Sequence, residues 1–261
     1  MKNELAMSLI SRQPLTEELA RKQITALCEF DEGLVRPDKW DQYEPIKTPF
    51  NAGEINEPVR LLAEPQGRFF YRSGRPIVVD GGMWNLALPL DCRFPSPRFT
   101  NYWTGGIDGK WAAKGRLDRI EVFVSEMFQL TGADFGLLTP RSDIQAKNST
   151  PMRPSYKGLT FESGVPGLYW INFFSDELAD WLDLANFPER LGTLKRLPRG
   201  GYSITFCENP GDAVTGDVLQ RQRVAIDWIG ADKFFDIRSP DRIVNLPDWA
   251  SVSAGDAQVG E

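Results

Sequence analysis

A chain of 261 residues has room for one large domain or two small ones, and this one contains no histidine at all. That absence removes Ser-His-Asp and Cys-His nucleophilic catalysis, His-ligated metals and the usual proton shuttle near neutral pH, leaving chemistry built on Asp and Glu alone. Lys and Arg number 30 against 36 Asp and Glu, and five of the six excess negative charges fall in residues 151–261, which argues against a nucleic-acid binder and suits a basic protein partner.

Taken in order, the chain opens with a short apolar run, Leu5 to Ile10, too short and too acidic in its flank for a signal peptide. No apolar run reaches membrane-spanning length, so no membrane role is expected. A helix is predicted from about Thr16 to Phe30, with Thr16 as N-cap and Leu19, Ile24, Leu27 and Cys28 on the apolar face. Arg36 to Phe50 is polar and proline-rich and reads as an irregular segment pinned by Trp40 and Tyr43. Strands are predicted at Gly67–Arg72, Met83–Leu90 and Arg98–Thr104, separated by Ser-Gly, Asp-Gly-Gly and Pro-Ser-Pro breaks. A second helix from about Arg116 to Leu130 ends at Gly132, and Phe135 to Leu138 follows as a short strand.

Residues 141–164 are polar and carry Pro151, Pro154 and Gly158, the pattern of a linker or mobile loop. Beyond it, Pro166 to Phe174 is aromatic and apolar almost throughout, as a strand covered on both faces would be. Ser175 caps a helix with Asp176 and Glu177 in its first turn. Leu191–Leu197 and Gly201–Cys207 form a hairpin through Pro198-Arg199-Gly200. A last helix, Asp217 to Ile229, stops at Gly230, and residues 251–261 read as a frayed tail. The fold class expected is α+β, with mostly antiparallel sheet and helices packed on one side, or two related α/β halves. The division is residues 1–140, a linker at 141–164, a β-α-β-β-α half at 165–250 and the tail.

Three cysteines, widely spaced and with no CxxC, suit free thiols in a reducing cytoplasm, and Cys207 reads as a small core residue. No phosphate loop, dinucleotide fingerprint or metal spacing occurs, so no cofactor is expected. Two places could bind a partner. Asp176, Asp180 and Asp183 fall at i, i+4 and i+7, opposite Leu178, Trp181 and Leu182, an acidic stripe that could dock a basic protein or simply face solvent. Tyr102, Trp103 and Trp111 surround a glycine-rich stretch read as a flexible turn, and serve either as a binding hot spot or as anchors of the strand.

The run Pro166-Gly167-Leu168-Tyr169-Trp170-Ile171-Asn172-Phe173-Phe174, the Ser175–Leu182 helix and the Gly200-Gly201 hairpin resemble the later half of bacterial immunity proteins of type VI secretion and polymorphic toxin systems. Arg36-Pro37-Asp38-Lys39-Trp40, Met83-Trp84-Asn85-Leu86 and Gly132-Ala133-Asp134-Phe135-Gly136 fit the same pattern, which is closest to the family called immunity protein 52. The resemblance implies an α+β cytoplasmic protein, not an enzyme, that binds and neutralises a cognate toxin, often a nuclease, one copy to one. It carries over no catalytic residues. The competing expectation from composition is a hydrolase acting through carboxylates alone, such as a glycosidase or an ADP-ribose hydrolase, whose sign would be two carboxylates converging in a deep pocket.

Overall fold

The computed structural model describes residues 4–74, 78–89, 99–108, 116–148, 164–239 and 242–248. It divides into two compact units, residues 1–92 with 96–138, and residues 93–95 with 139–261. The protein is α+β, and the strand pairs whose registers are described below are antiparallel.

The first unit is built on β1 (Glu4–Ser11), the apolar run near the N-terminus. Its residues from Leu5 to Ser11 are all buried, as befits a strand with neighbours on both edges and cover on both faces. It pairs with β6 (Asn101–Asp108), Met7 facing Gly105 and Leu9 facing Trp103. On the other edge lies β7 (Phe135–Pro140), which reaches from this unit into the next. Within this unit the end of β1 is tied to the segment that leads into β7 by charge and hydrogen bonds. Arg12 Nη2 lies 2.8 Å from Asp134 Oδ1, and Ser11 Oγ donates to Thr131 O at 3.0 Å. From β6 the sheet continues through β5 (Val79–Asn85), β4 (Arg68–Ser73) and β2 (Lys39–Asp41) to β3 (Thr48–Pro49) at its edge.

Three helices accompany this sheet: α1 (Glu17–Glu29), α2 (Asn56–Ala63) and α3 (Leu117–Leu130). The contacts of α2 and α3 fall on one face of it. Asn85 Nδ2 donates to Ala63 O at 2.9 Å, and the rings of Trp103 and Phe123 meet edge to face at 5.7 Å. That face is a seam of rings, with Trp40 stacked on Phe69 and Phe69 stacked on Tyr71 at 5.7 and 5.8 Å. Trp103 Nε1 donates to Tyr71 Oη at 3.0 Å, so the two buried polar tips satisfy each other.

Several boundaries differ from the sequence reading, and glycine explains the largest. Gly81-Gly82 and Gly105-Gly106, taken as a break and a flexible turn, lie inside β5 and β6. They are there because neighbouring atoms approach the backbone: a Cβ on Gly81 would sit 2.5 Å from Thr104 O and 2.6 Å from Tyr71 Oη, one on Gly82 2.6 Å from the Trp84 ring, and one on Gly105 2.6 Å from Met7 Cε. Residues 86–89, read as the end of that strand, lie outside it. Between residues 36 and 50, Trp40 is buried in β2, whereas Tyr43 is 66 % exposed and pins nothing.

In the second unit, β8 (Ile171–Phe174) is buried at every residue and pairs with β10 (Tyr202–Thr205), which pairs in turn with β9 (Thr193–Arg196) in the expected hairpin. Ser175 Oγ accepts from Leu178 N at 3.2 Å and caps α5 (Asp176–Trp181). The helix α6 (Gly216–Ile229) ends, as expected, at Gly230, whose φ of 118° is open to glycine. The segment expected as a linker opens with a helix, α4 (Arg141–Asn148), that buries Asp143, Ile144 and Asn148. Its remainder, residues 149–163, and the tail at 251–261 lie outside the described residues.

Candidate functional site: an aromatic patch on the first sheet

Alternation along β4, β5 and β6 sends Phe69, Tyr71, Met83 and Trp103 to the helix-covered face, and Phe70, Trp84 and Tyr102 to the other. Trp84 and Tyr102 are direct cross-strand partners, while Phe70 faces Gly82 on the neighbouring strand. Their rings form a continuous patch: Phe70 meets Trp84 edge to face at 5.2 Å, and Trp84 meets Tyr102 at 5.4 Å. All three are half-buried. Exposure rises across the face. Ile10 and Ser8 in β1 are buried, the aromatics are intermediate, and Arg68 and Arg72 in β4 are exposed. Arg68 sits over the ring of Tyr43 at 5.9 Å, which extends the patch outward. Tyr, Trp and Arg around an apolar centre are the residues that dominate binding energy at protein interfaces.

A second concave region of this unit lies between the end of α1 and the start of α3, with a volume of about 570 Å³. Its apolar lining is Ala26, Phe30 and Val122, and Glu29, Asp31, Asp118 and Glu126 line it together with Arg119, which pairs with Asp31. Asp31 and Glu32 hold left-handed backbone conformations, φ 51° and 59°, in the turn that follows α1. The negative charge of the chain is thus presented in a groove here as well as spread over its second half.

The residues singled out from the sequence are dispersed. Tyr102 is in the aromatic patch. Trp103 is on the opposite face, 1 % exposed and bonded to Tyr71, so it anchors the sheet and cannot reach a partner. Trp111 lies outside the described residues. The acidic stripe does not form as spaced, because α5 stops at Trp181 and Asp183 takes a left-handed conformation beyond it, with Oδ1 accepting from Asn186 Nδ2. Asp176 is occupied: it accepts from Gly201 N at 3.0 Å and pairs with Arg196, buckling the hairpin to the helix. Asp180 is exposed. Phe70 and Trp84 went unnoticed as site residues, although the alternation of Arg68-Phe69-Phe70-Tyr71-Arg72 puts an aromatic on each side of the strand.

The second unit buries its charge. Asp143, with no side-chain exposure, lies 2.6 Å from Lys147 Nζ and accepts from Thr139 Oγ1 at 2.6 Å. Lys147 also donates to Leu168 O and Gln222 Oε1, at 2.7 and 2.8 Å. Burial pushes the Asp143 carboxyl up and the Lys147 ammonium down, and each charge opposes the other's shift. Among the described residues no group of three or more Cys, Asp and Glu is placed to hold a metal, and no helix is long and apolar enough to cross a membrane.

No family model matches the chain, and no curated protein matches it. Among solved structures it is similar to the Pseudomonas aeruginosa T6SS protein PA0821, with a TM-score of 0.50 and 11 % identity over 95 % of this chain and 89 % of that one. What the two share is a fold. The likeness reaches a protein of a type VI secretion system (T6SS) and gives no support to membership of the immunity protein 52 family.

Proposed function

We propose that this chain is a cytoplasmic immunity protein of a type VI secretion system, which binds a cognate basic toxin one to one and holds it inactive. The observation that carries the reading is the patch of Phe70, Trp84 and Tyr102 on the face of the first sheet opposite α2 and α3, flanked by the exposed Arg68 and Arg72. Half-buried rings held by neighbouring rings lose little side-chain freedom on binding, so their area converts efficiently into affinity. The fold shared with a T6SS protein supports the cellular setting, and the net charge of −6 supports a basic partner, nuclease toxins among them, since such charge steers association.

Binding and catalysis differ in stoichiometry. The test titrates this protein against a purified candidate toxin and follows residual toxin activity and complex formation together. Protection saturating near equal amounts, with a stable complex, is the expected result. Protection at a small fraction of equivalence, without a complex, would overturn the proposal in favour of an enzyme that reverses the damage. Trp84→Ala is expected to weaken the complex by about 2 kcal/mol or more, roughly thirtyfold, while the free protein keeps its circular dichroism.

A further inference from the structure

A cleft of about 460 Å³ opens in the second unit between α4, residues 166–168, α6, residues 231–238 and Arg242. That volume falls within the range of small-molecule sites. Much of its wall is apolar, Ile226 and Phe234 included, and its cationic lining residues outnumber its anionic ones by four to two. In a chain with an overall negative excess, the cleft is locally positive.

Gln222 lines this cleft and is 2 % exposed. Its amide orientation is fixed, because Oε1 accepts from Lys147 Nζ. The other end of the amide, Nε2, is buried and finds no acceptor among the described residues. A buried donor without a partner costs free energy that an arriving acceptor oxygen would recover. Lys147, by contrast, is already engaged: it donates to Leu168 O and Gln222 Oε1 and is ion-paired with Asp143. Positive charge available to a ligand therefore comes from side chains such as Arg223 and Arg238, both exposed.

We propose that this cleft binds a small organic carboxylate with an apolar body, one oxygen accepting from Gln222 Nε2 and the tail lying along Ile226 and Phe234. With Lys147 already neutralised by Asp143, the site suits a single negative charge rather than a phosphate. The network of Thr139, Asp143 and Lys147 then acts as the support that aims the Gln222 amide.

The test uses octanoate, octanol and octylamine as probes in calorimetry and thermal melting of the whole protein. Octanoate is expected to bind one to one and raise the melting temperature saturably, with the alcohol and the amine weaker by about tenfold or more. Gln222→Glu keeps an acceptor for Lys147 and removes the donor, so it is expected to weaken octanoate by about tenfold or more. Arg238→Glu, at an exposed position that leaves the fold alone, is expected to weaken it as well and gives a reading even if Gln222→Glu misfolds. Equal binding of the three probes, no saturable binding of octanoate, or octanoate affinity unchanged by Arg238→Glu would each overturn the proposal.

Discussion

The two units bury polar groups by different means. In the first, Trp103 and Tyr71 meet as neutral donor and acceptor at 3.0 Å in the middle of a sheet, enclosed by rings. In the second, Asp143 and Lys147 meet as charges on one helix, and three further polar groups, Thr139 Oγ1, Leu168 O and Gln222 Oε1, help complete their shells. A neutral pair needs one good bond. An ion pair needs every lone pair and proton placed, since desolvation of the charges rivals their attraction. The difference predicts that the second unit fails more sharply when one partner is removed.

The largest effect expected is therefore Lys147→Met. It strands Asp143 in the interior with Thr139 as its remaining donor partner among these groups, at a cost of about 3–5 kcal/mol. Removing both charges with Asp143→Leu in the same protein should recover much of that loss. The sign with pH is specific. A carboxyl whose folded pKa is raised above its ordinary 3.8 favours the folded state fully below that value and less as pH rises through the folded value. The single variant should consequently regain stability on acidification, measured by urea unfolding at stepped pH. Stability unaffected by Lys147→Met would mean the pair is dispensable and the contrast between the units is empty.

A smaller loss, about 1–3 kcal/mol, is expected for Trp103→Phe, which keeps most of the ring packing and removes the donor to Tyr71 Oη. The group left behind is a neutral phenol, which is why the cost stays below that of a stranded charge. In the same unit, burial pushes the Cys28 thiol up to about 11 and the Tyr71 phenol further above its ordinary 10. Both groups hold their protons in the folded state, so their contribution is complete below pH 9 and is lost as pH rises through the folded values. Alkaline unfolding should be less steep in Cys28→Ala than in the parent chain, read by tryptophan fluorescence between pH 8 and 11. An identical slope would remove Cys28 from the account.

How far the sequence reveals this arrangement depends on what each residue answers to. Thr16, Ser175 and Gly230 act through their own backbone, so the helix starts at Glu17 and Asp176 and the stop after Ile229 were legible. The hairpin at Pro198–Gly201 was legible for the same reason. Gly81, Gly82, Gly105 and Gly106 answer instead to atoms that the sheet registers bring close, Tyr71, Phe70, Met7 and Glu4 among them, and local reading turns them into breaks. The role of β1 was hidden too: a run from Leu5 to Ile10 says that it is buried, not that β6 and β7 flank it. The aromatic patch needs the registers of three strands, which is why Tyr102 was found in the company of Trp103 and Trp111 rather than of Trp84 and Phe70.

The finest comparison is between two helix caps read from the sequence, one in each unit. Thr16 Oγ1 accepts from Leu19 N and Ser175 Oγ from Leu178 N, both at 3.2 Å, so bond length does not separate them. Their surroundings do. The Thr16 bond is exposed, and water can replace the hydroxyl on the amide left behind. The Ser175 bond is partly buried, directly after a strand with no exposed residue, and water has poorer access there. Replacing either residue with Ala should cost about 0.5–2 kcal/mol, with Thr16→Ala toward the lower end and Ser175→Ala toward the upper. Amide hydrogen exchange is the measurement that resolves them: Leu178 N–H should gain more in exchange rate from loss of its cap than Leu19 N–H does from loss of its own. Equal gains would show that solvent reaches both caps alike, and that burial around β8 stops short of the helix it feeds.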